Sequence, residues 1–423
     1  MYDIVVIGAG AAGMMAAAAA GRMGANVCLL EKNEKPGKKL YITGKGRCNI
    51  TNACPVEEFF DHVVTNPKFL YSCMYALTND DVIRLFEEWG VRTKTERGGR
   101  VFPASDKSSD VIRALCTACR NYGVEMQVHS DVADILQDGG AVSGVLLTGG
   151  RKVKARSVIV ATGGLSYAST GSAGAGYRFA RETGHQVKPC RPGLVPMNVR
   201  EDTPQKMQGL SLKNVELSFY TSRKGKKKEL YREFGEMMFT HFGITGPIVL
   251  SASSLIGDEL DRQTVYASLD CKPALSPEKL HKRILRDFRA NPNISLKNAL
   301  GGLIPKSMIP VVLQLIKTDG TDPVNSVTRE EREHLVHILK GMTFTIESLR
   351  GWKEAIITRG GVHVGDINPS TMESRRVENL YFAGEVLDVD ALTGGFNLQA
   401  AWSSGYLAGV SAAQKGKENK ERI

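Results

Sequence analysis

Hydrophobic positions along this chain follow two rhythms, and they change over near Pro192. Tyr2–Ile7 is an almost unbroken run rich in Ile and Val, the texture of a strand buried on both faces of a parallel sheet. Asn26–Leu30, Ser157–Ala161 and Leu380–Ala383 repeat that texture and predict three more such strands. An alanine-rich stretch opening near Ala11 predicts a helix between the first two strands. Ser109–Tyr122 and Tyr177–Thr183 predict two further helices. Shorter runs, Val124–His129, Val132–Leu136 and Gly144–Leu147, lie between turn signals such as Asp138-Gly139-Gly140 and predict a small β-meander.

Beyond Pro192 the pattern alternates instead. Val195–Val199, Leu210–Ser222 and Glu229–Glu233 read as half-buried strands without a βαβ rhythm. Ile248–Leu255 reads as a helix behind Gly246-Pro247, and Val265–Leu269 as a strand. Pro277–Ala290, Lys306–Ile316 and Arg329–Leu339 carry helical periods, and a strand returns at Thr343–Ser348. The expected organisation is therefore a first domain over 1–192, an insertion over 193–361 and a return to the first domain over 362–423. The insertion is expected to be β-rich over 193–275 and 341–361 and helical over 276–340. No internal repeat is visible, and the polar tail Lys415–Ile423 is expected to fray.

Composition narrows the class. Of 423 residues, 42% are apolar, enough for two or three domains with sizeable cores. No window approaches ~18 uninterrupted apolar residues, so no membrane span is expected. Met1 leads straight into a strand with no basic segment or cleavage site, so no secretory leader is expected. Eight scattered cysteines suit a reducing cytoplasm. Cys116 and Cys119 form a CxxC inside a predicted helix with no second ligand pair, which reads as core packing and predicts no metal site. The net charge of +10 favours an anionic partner: a phosphate-bearing cofactor, an acidic substrate or RNA.

The first strand runs into Gly8-Ala9-Gly10-Ala11-Ala12-Gly13. Gly8 permits a tight turn, Gly10 lets the backbone approach a pyrophosphate, and Gly13 lets the helix pack on the strand. The helix opening at Ala11 aims free N–H groups at phosphates. The second strand ends in Glu31, 23 positions after Gly8, where a carboxylate accepts the hydroxyls of an adenosine ribose. An acid there favours FAD or NAD over NADP.

Pro36–Asn52, PGKKLYITGKGRCNITN, has glycines and cations but almost no hydrophobic period, so it reads as a long functional loop rather than a core helix or strand. Lys38, Lys39, Lys45 and Arg47 would bring positive charge beside a pyrophosphate, with Gly44 among the glycines of the turn. Cys48, Asn49 and Thr51 would turn short polar groups toward a flavin. Ala161-Thr162-Gly163-Gly164 lets a strand end against a ligand without side-chain obstruction. A strand edge near Val132 offers backbone groups to an adenine ring. Near the far end, Gly384 closes the last parallel strand and Glu385 offers a carboxylate to a ribityl hydroxyl. Gly394, Gly395 and Phe396 form a turn, and a helix opening near Asn397 would face the pyrimidine end of an isoalloxazine, where negative charge gathers on reduction. NAD has no ring needing such a partner, so the pattern favours FAD.

GKKLYITGKGRCNITN, the Gly163–Tyr177 region, EMMFTHFGITGP and TMESRRVENLYFAGEVLDVDALTGGFNLQAAWSSG together resemble a bacterial family of NAD(P)/FAD-dependent oxidoreductases, the aminoacetone-oxidase-like flavoproteins of the glutathione-reductase-type FAD superfamily. Bile-acid-type dehydrosteroid reductases are relatives. The resemblance implies an α/β fold: a Rossmann-like FAD-binding domain, with parallel sheet, helices and a small β-meander, interrupted by an inserted β-barrel-like plus small helical domain. It also implies FAD contacts at Gly8, Gly10, Ala12, Gly13, Glu31, Lys32, Arg47, Cys48, Asn49, Val132, Ala161, Thr162, Gly163, Gly384, Glu385, Asn397, Leu398 and Gln399. Asp390 departs from the family pattern, in which a small residue often precedes the Thr-Gly-Gly.

No catalytic residue carries over. His241, His363, Arg359, Tyr177 and Cys48 are candidates by position in the chain alone. Gly171–Gly176 has no apolar strand directly before it and no acid-ended strand after it, which speaks against a separate NAD(P)H domain. The expectation is an FAD oxidoreductase acting on a small organic substrate, with NAD(P)H as donor lacking a dedicated domain. A flavoprotein acting on RNA and a flavin-binding regulatory protein are the alternatives. The RKGKKK block, Arg223–Lys228, reads as a solvated hairpin tip first and an RNA or acidic-partner contact second.

Overall fold

A computed structural model describes residues 1–223 and 225–421. The chain forms two compact units: Met1–Gly193 with Ala355–Ile423, and Leu194–Glu354.

The first unit is built on a seven-stranded sheet. Glu125–Gln127, Val27–Leu30, Tyr2–Ile7, Lys152–Val160 and Leu380–Phe382 run parallel in that order. Lys152–Val160 divides its pairing. Its first half pairs antiparallel with Ala141–Leu147, which pairs with Val132–Asp138, and its last residues pair parallel with Leu380–Phe382. This strand therefore belongs to both the β-meander and the parallel sheet. The expected meander membership of Val124–His129 is corrected: Glu125–Gln127 extends the parallel sheet beside Val27–Leu30.

The ends of the chain meet through small side chains. Helix Ala11–Arg22 is buried almost all round, from Ala12 to Gly21. The last helix, Phe396–Glu421, lies so close that a Cβ on Gly405 would stand 2.3 Å from the Ala12 carbonyl oxygen, and one on Gly409 would stand 2.2 Å from that of Ala16. The Ala run of the first helix and the GYLAG of the last are thus the two halves of one backbone-on-backbone contact. The tail does not fray at Lys415: the helix continues through Glu421, and Lys415 pairs with Glu373 at 2.8 Å and Glu378 at 3.1 Å.

The second unit holds a closed antiparallel barrel of six strands: Met197–Val199, Gly243–Thr245, Lys226–Phe239, Ser211–Arg223, Val265–Asp270 and Met342–Leu349. Helix Pro247–Leu260 contributes Ile248, Val249, Ala252 and Ile256 to its core. Leu280, Ile284 and Phe288 of helix Pro277–Ala290 and Leu335 and Leu339 of Arg329–Gly341 join the same core. The hairpin carrying RKGKKK closes at Arg223 opposite Lys226, and Lys224 lies outside the described residues. The expectation that the insertion extends to residue 361 is corrected. Ile357–Val362 pairs antiparallel with Val187–Gly193, inside the first unit. Among the described residues no helix is long and apolar enough to cross a membrane, and no cluster of metal-ligating side chains exists. Cys116 and Cys119 are free thiols on helix Ser108–Asn121.

Candidate functional site

The strand–turn–helix at the N-terminus has the geometry that its sequence implies. Gly8 has φ +100°, and a Cβ on Gly13 would stand 1.8 Å from the Gly8 carbonyl oxygen, so the chain itself requires both glycines. Gly10 is different. Its φ of −86° and ψ of −164° suit any residue, and a Cβ there would have no protein atom within 4 Å. Nothing in the polypeptide demands glycine at this position. The space over Gly10 is open, and it opens onto the first turn of the helix beginning Ala11, whose early N–H groups, at Ala11, Ala12 and Gly13, have no intrahelical acceptor.

Glu31 is buried and its carboxylate is aimed by three donors. Ala9 N donates to Oε2 at 2.9 Å, while Asn33 N and Nδ2 donate to Oε1 at 2.8 and 2.6 Å. Oε2 keeps a free lone pair, which suits a sugar hydroxyl. Asn33, absent from the sequence reading, also reaches the Thr170 carbonyl at 3.0 Å and ties the acid to the Ala168–Thr170 loop. Lys32 stands beside Gly171, where a Cβ would meet its Cε at 3.1 Å. Val132 is buried and pairs with Leu147 at the start of the meander.

The Pro36–Asn52 segment is less irregular than expected: Lys38–Ile42 forms one helical turn and Thr51–Asn52 a short strand against Arg100–Pro103. Between them Gly44, Lys45, Gly46 and Cys48 all have φ between +56° and +83°. Lys38 pairs with Glu34, and Lys45 is exposed. The Arg47 guanidinium holds Glu96 and Asp106, each at 2.5 Å, and stacks 4.0 Å from the Phe102 ring, so two carboxylates from outside the loop balance its charge. Cys48 is corrected as a thiolate. It is fully buried, and burial pushes its thiol up to about 12. Native protein at pH 8 should therefore leave Cys48 unalkylated by iodoacetamide over hours; labelling as fast as in unfolded protein would contradict this burial.

Among the buried polar atoms without a partner are Oδ1 of Asn49 and Oγ1 of Thr162. Both belong to segments that the sequence assigns to the cofactor. A buried acceptor or hydroxyl left empty costs about 1–3 kcal/mol, so each is an opening for a ligand atom.

The late segment closes on the same unit. Gly384 has φ +76° and a Cβ there would press on Ala12 at 2.7 Å. Glu385 is more committed than expected: Lys39 donates to its Oε2 at 2.5 Å, and Ser166 Oγ and Thr358 N donate to its Oε1 at 3.0 and 2.8 Å. Lys39 also donates to Ser166 Oγ at 2.6 Å, so its charge is shared with Glu385. Thr358 Oγ1 accepts from Leu165 N at 2.7 Å and closes the loop after Ala161, Thr162 and Gly163. Ser166 and Thr358 escaped the sequence reading. Their only signal is adjacency, Ser166 to the ATGG turn and Thr358 to Gly360-Gly361.

The side chains of Asn397 and Gln399 bond within the protein. The Asn397 amide is used inside the segment, Oδ1 accepting from Ala391 N at 3.0 Å and Nδ2 donating to the Ala391 carbonyl at 2.7 Å. Gln399 is fully buried, takes Thr51 Oγ1 at 2.6 Å and donates to Ser403 and Leu77. Its backbone N–H closes the first helical turn on Gly395 at 3.0 Å, leaving the N–H groups of Phe396, Asn397 and Leu398 as the open ones. Of the catalytic candidates, Tyr177 is buried with its hydroxyl on the Glu385 carbonyl at 3.4 Å, and burial drives its phenol far above the usual range. His241 is exposed in the second unit, edge-on to Phe242.

Residues 2–411 match the family described as HI0933-like protein Rossmann domain. The chain belongs to this family. FAD is its cofactor, and it is an FAD-dependent oxidoreductase. A 3-dehydro-bile acid delta(4,6)-reductase of Clostridium scindens is 32% identical over 98% of this chain and 100% of that one. A ribosomal RNA dihydrouridine synthase of Escherichia coli is also 32% identical, over 96% of each chain. A solved 3-ketosteroid delta1-dehydrogenase of Sterolibacterium denitrificans shares the fold, with a TM-score of 0.54 at 12% identity over 98% of this chain and 99% of that one.

The residues present fit FAD on the chain's own geometry: an open cradle at Gly10, an oriented carboxylate at Glu31, and the partnerless Asn49 and Thr162 atoms. Replacing Glu31 by Ala should weaken FAD binding by about 1–3 kcal/mol, the scale for a buried donor or acceptor losing its partner. Isothermal titration of apoprotein with FAD measures it, and wild-type affinity would mean that the ribose is held elsewhere.

Proposed function

We propose that this protein reduces a carbon–carbon double bond conjugated to a carbonyl group, and that FAD is held between Gly8–Gly13, Glu31, Asn49, Thr162–Gly163 and the Gly384–Leu398 segment. The observation that carries the reaction class is the pair of relatives at equal identity. One is named for a dehydro-bile acid reduction and the other for dihydrouridine formation. Both names describe hydrogen added across a double bond activated by a carbonyl, in a steroid ring and in a uracil ring. Bound FAD supplies a hydride for such a step, and the chain supplies orientation and exclusion of water. The Gly8–Gly13 turn and the Glu31 carboxylate fix the adenosine end. The Phe396–Leu398 N–H groups offer positive potential to the pyrimidine end of the ring system.

A small organic substrate is the first reading, with NAD(P)H as the donor. A uracil base in RNA is the second, favoured by the net charge of +10, since a polyanion is drawn to a cationic protein. The experiment is anaerobic: FAD-loaded protein is reduced with dithionite and mixed with 2-cyclohexen-1-one, a 3-keto-4-ene steroid or a uridine-containing ribosomal RNA fragment. Return of the oxidised flavin spectrum with the enones alone supports the first reading, and with the RNA alone the second. No reoxidation by any of them would overturn the reaction class.

A further inference from the structure

Asp390 departs from the sequence pattern that the chain otherwise resembles, and the structure gives the departure a partner. Its side chain is completely buried, and neither carboxylate oxygen takes a hydrogen bond. The nearest cation is Arg359, whose Nε stands 3.4 Å from Oδ2. A buried carboxylate held chiefly by one ion pair is a costly arrangement, because its desolvation is only partly compensated. Burial pushes its carboxyl above the usual range and neighbouring Asp388 adds to that, while Thr65 and Arg359 oppose it.

Arg359 is held along its length. It lies on strand Ile357–Val362, and its stem crosses Gly193, where a Cβ would meet its Cγ at 2.7 Å. Its Nε is buried against Asp390, yet the side chain is 21% exposed and its terminal nitrogens take no hydrogen-bond or ion-pair partner among the described residues. Its strand neighbour Thr358 joins the Glu385 and Leu165 contacts of the proposed cofactor segments. The result is a rigid guanidinium with its fork free, anchored from behind by a buried acid and next to the segments assigned to FAD. Such a fork suits a charged or developing-charge oxygen better than a mobile ammonium does.

We propose that Arg359 binds the carbonyl oxygen of the substrate, and that Asp390 is the positioning residue that holds Arg359 in place. The proposal rests on the reaction class given above. Hydride arriving at the β-carbon breaks the carbon–carbon π bond, and the electron pair moves through the α-carbon onto the carbonyl oxygen. The resulting enolate oxygen meets the Arg359 N–H groups, and a proton from solvent then completes the α-carbon. Two hydrogens are added in all, one as hydride from the reduced cofactor and one as a proton.

The test uses 4-chlorophenol, whose phenolate mimics the enolate oxygen and gives a long-wavelength charge-transfer band when it stacks on oxidised flavin. FAD-loaded wild type should show the band on titration. Arg359→Lys should bind the phenol about 10–100-fold more weakly, the range for losing charge-assisted hydrogen bonds. Asp390→Asn should weaken the band while leaving flavin content unchanged, which a merely structural role would not do. Because Arg359→Met alone strands a buried acid, the Arg359→Met/Asp390→Asn double variant serves as the folded control. It should keep FAD and its melting temperature and show no band. A wild type without the band, or a double variant that binds the phenol as tightly as wild type, would overturn the proposal. If wild type reduces enones yet shows no band, the residue assignment fails alone. If the band appears and moves with Arg359 but no enone or RNA reoxidises the flavin, the reaction class fails and the oxyanion site stands.

Discussion

Gly10→Val is expected to give a protein that folds normally and retains no FAD. The two halves of that result separate because the polypeptide does not need glycine there. Backbone angles of −86° and −164° are extended and open to any L-residue, and a Cβ there would enter space with no protein atom within 4 Å. Surface substitutions of this kind usually shift stability by no more than about 0.5 kcal/mol. The added methyl groups would instead occupy the space through which a pyrophosphate reaches the helix beginning at Ala11. We expect FAD affinity to fall by at least about 100-fold, or roughly 2.7 kcal/mol, with an apoprotein melting curve that overlays wild type. Retention of stoichiometric flavin would place the phosphates elsewhere. A collapsed melting temperature would mean that Gly10 serves the fold.

Gly395→Val should act through the opposite cause. Gly395 has φ +104°, where a branched side chain is strained, and its Cβ would stand 2.4 Å from the Thr51 carbonyl oxygen. Either Thr51–Asn52 or the start of the Phe396–Glu421 helix must move. Both lie on the proposed flavin side, since Thr51 also ties Gln399 at 2.6 Å. We expect lower flavin occupancy and a more negative midpoint potential in what remains, because a displaced helix start loses up to ~2 kcal/mol of stabilisation of the anionic reduced ring. Glu385→Gln should keep much of its flavin, although it breaks the 2.5 Å pairing with Lys39. Flavin content and potential, read beside wild type, check both. Full occupancy and an unchanged potential in Gly395→Val would show that this segment does not touch the ring.

Local chemistry was readable in the sequence wherever the answer lies within one turn or one βαβ unit. Gly8, Gly13 and Glu31 are dictated by neighbours at most 23 positions away, and the structure gives each the geometry that its spacing implies. The buried run Tyr2–Ile7 and the alternating insertion strands were legible for the same reason, since strand periodicity records which face is covered. What was not legible is long-range. Lys39 and Glu385 are 346 positions apart and meet only when the last strand joins the sheet, so the two appeared as separate ligands when each neutralises the other. Arg47 appeared as a phosphate-facing cation because nothing local shows that Glu96 and Asp106 will surround it. Gln399 sits in a motif that looks ligand-facing, but helical geometry turns its side chain inward onto Thr51 and Ser403. Lys152–Val160 was read at half its length, because its first half alternates with the meander and only its last residues have a parallel neighbour on each side.

The central expectation is that two segments at opposite ends of the chain hold one FAD. Hydrogen–deuterium exchange of apoprotein against FAD-loaded protein tests it most directly. The account predicts slower exchange on FAD addition in Gly10–Gly13, in Asn49 and its neighbours, in Thr162–Gly163 and in Phe396–Leu398, all rising together at one FAD per chain. Protection confined to the N-terminal turn, with Phe396–Leu398 exchanging as in apoprotein, would contradict it.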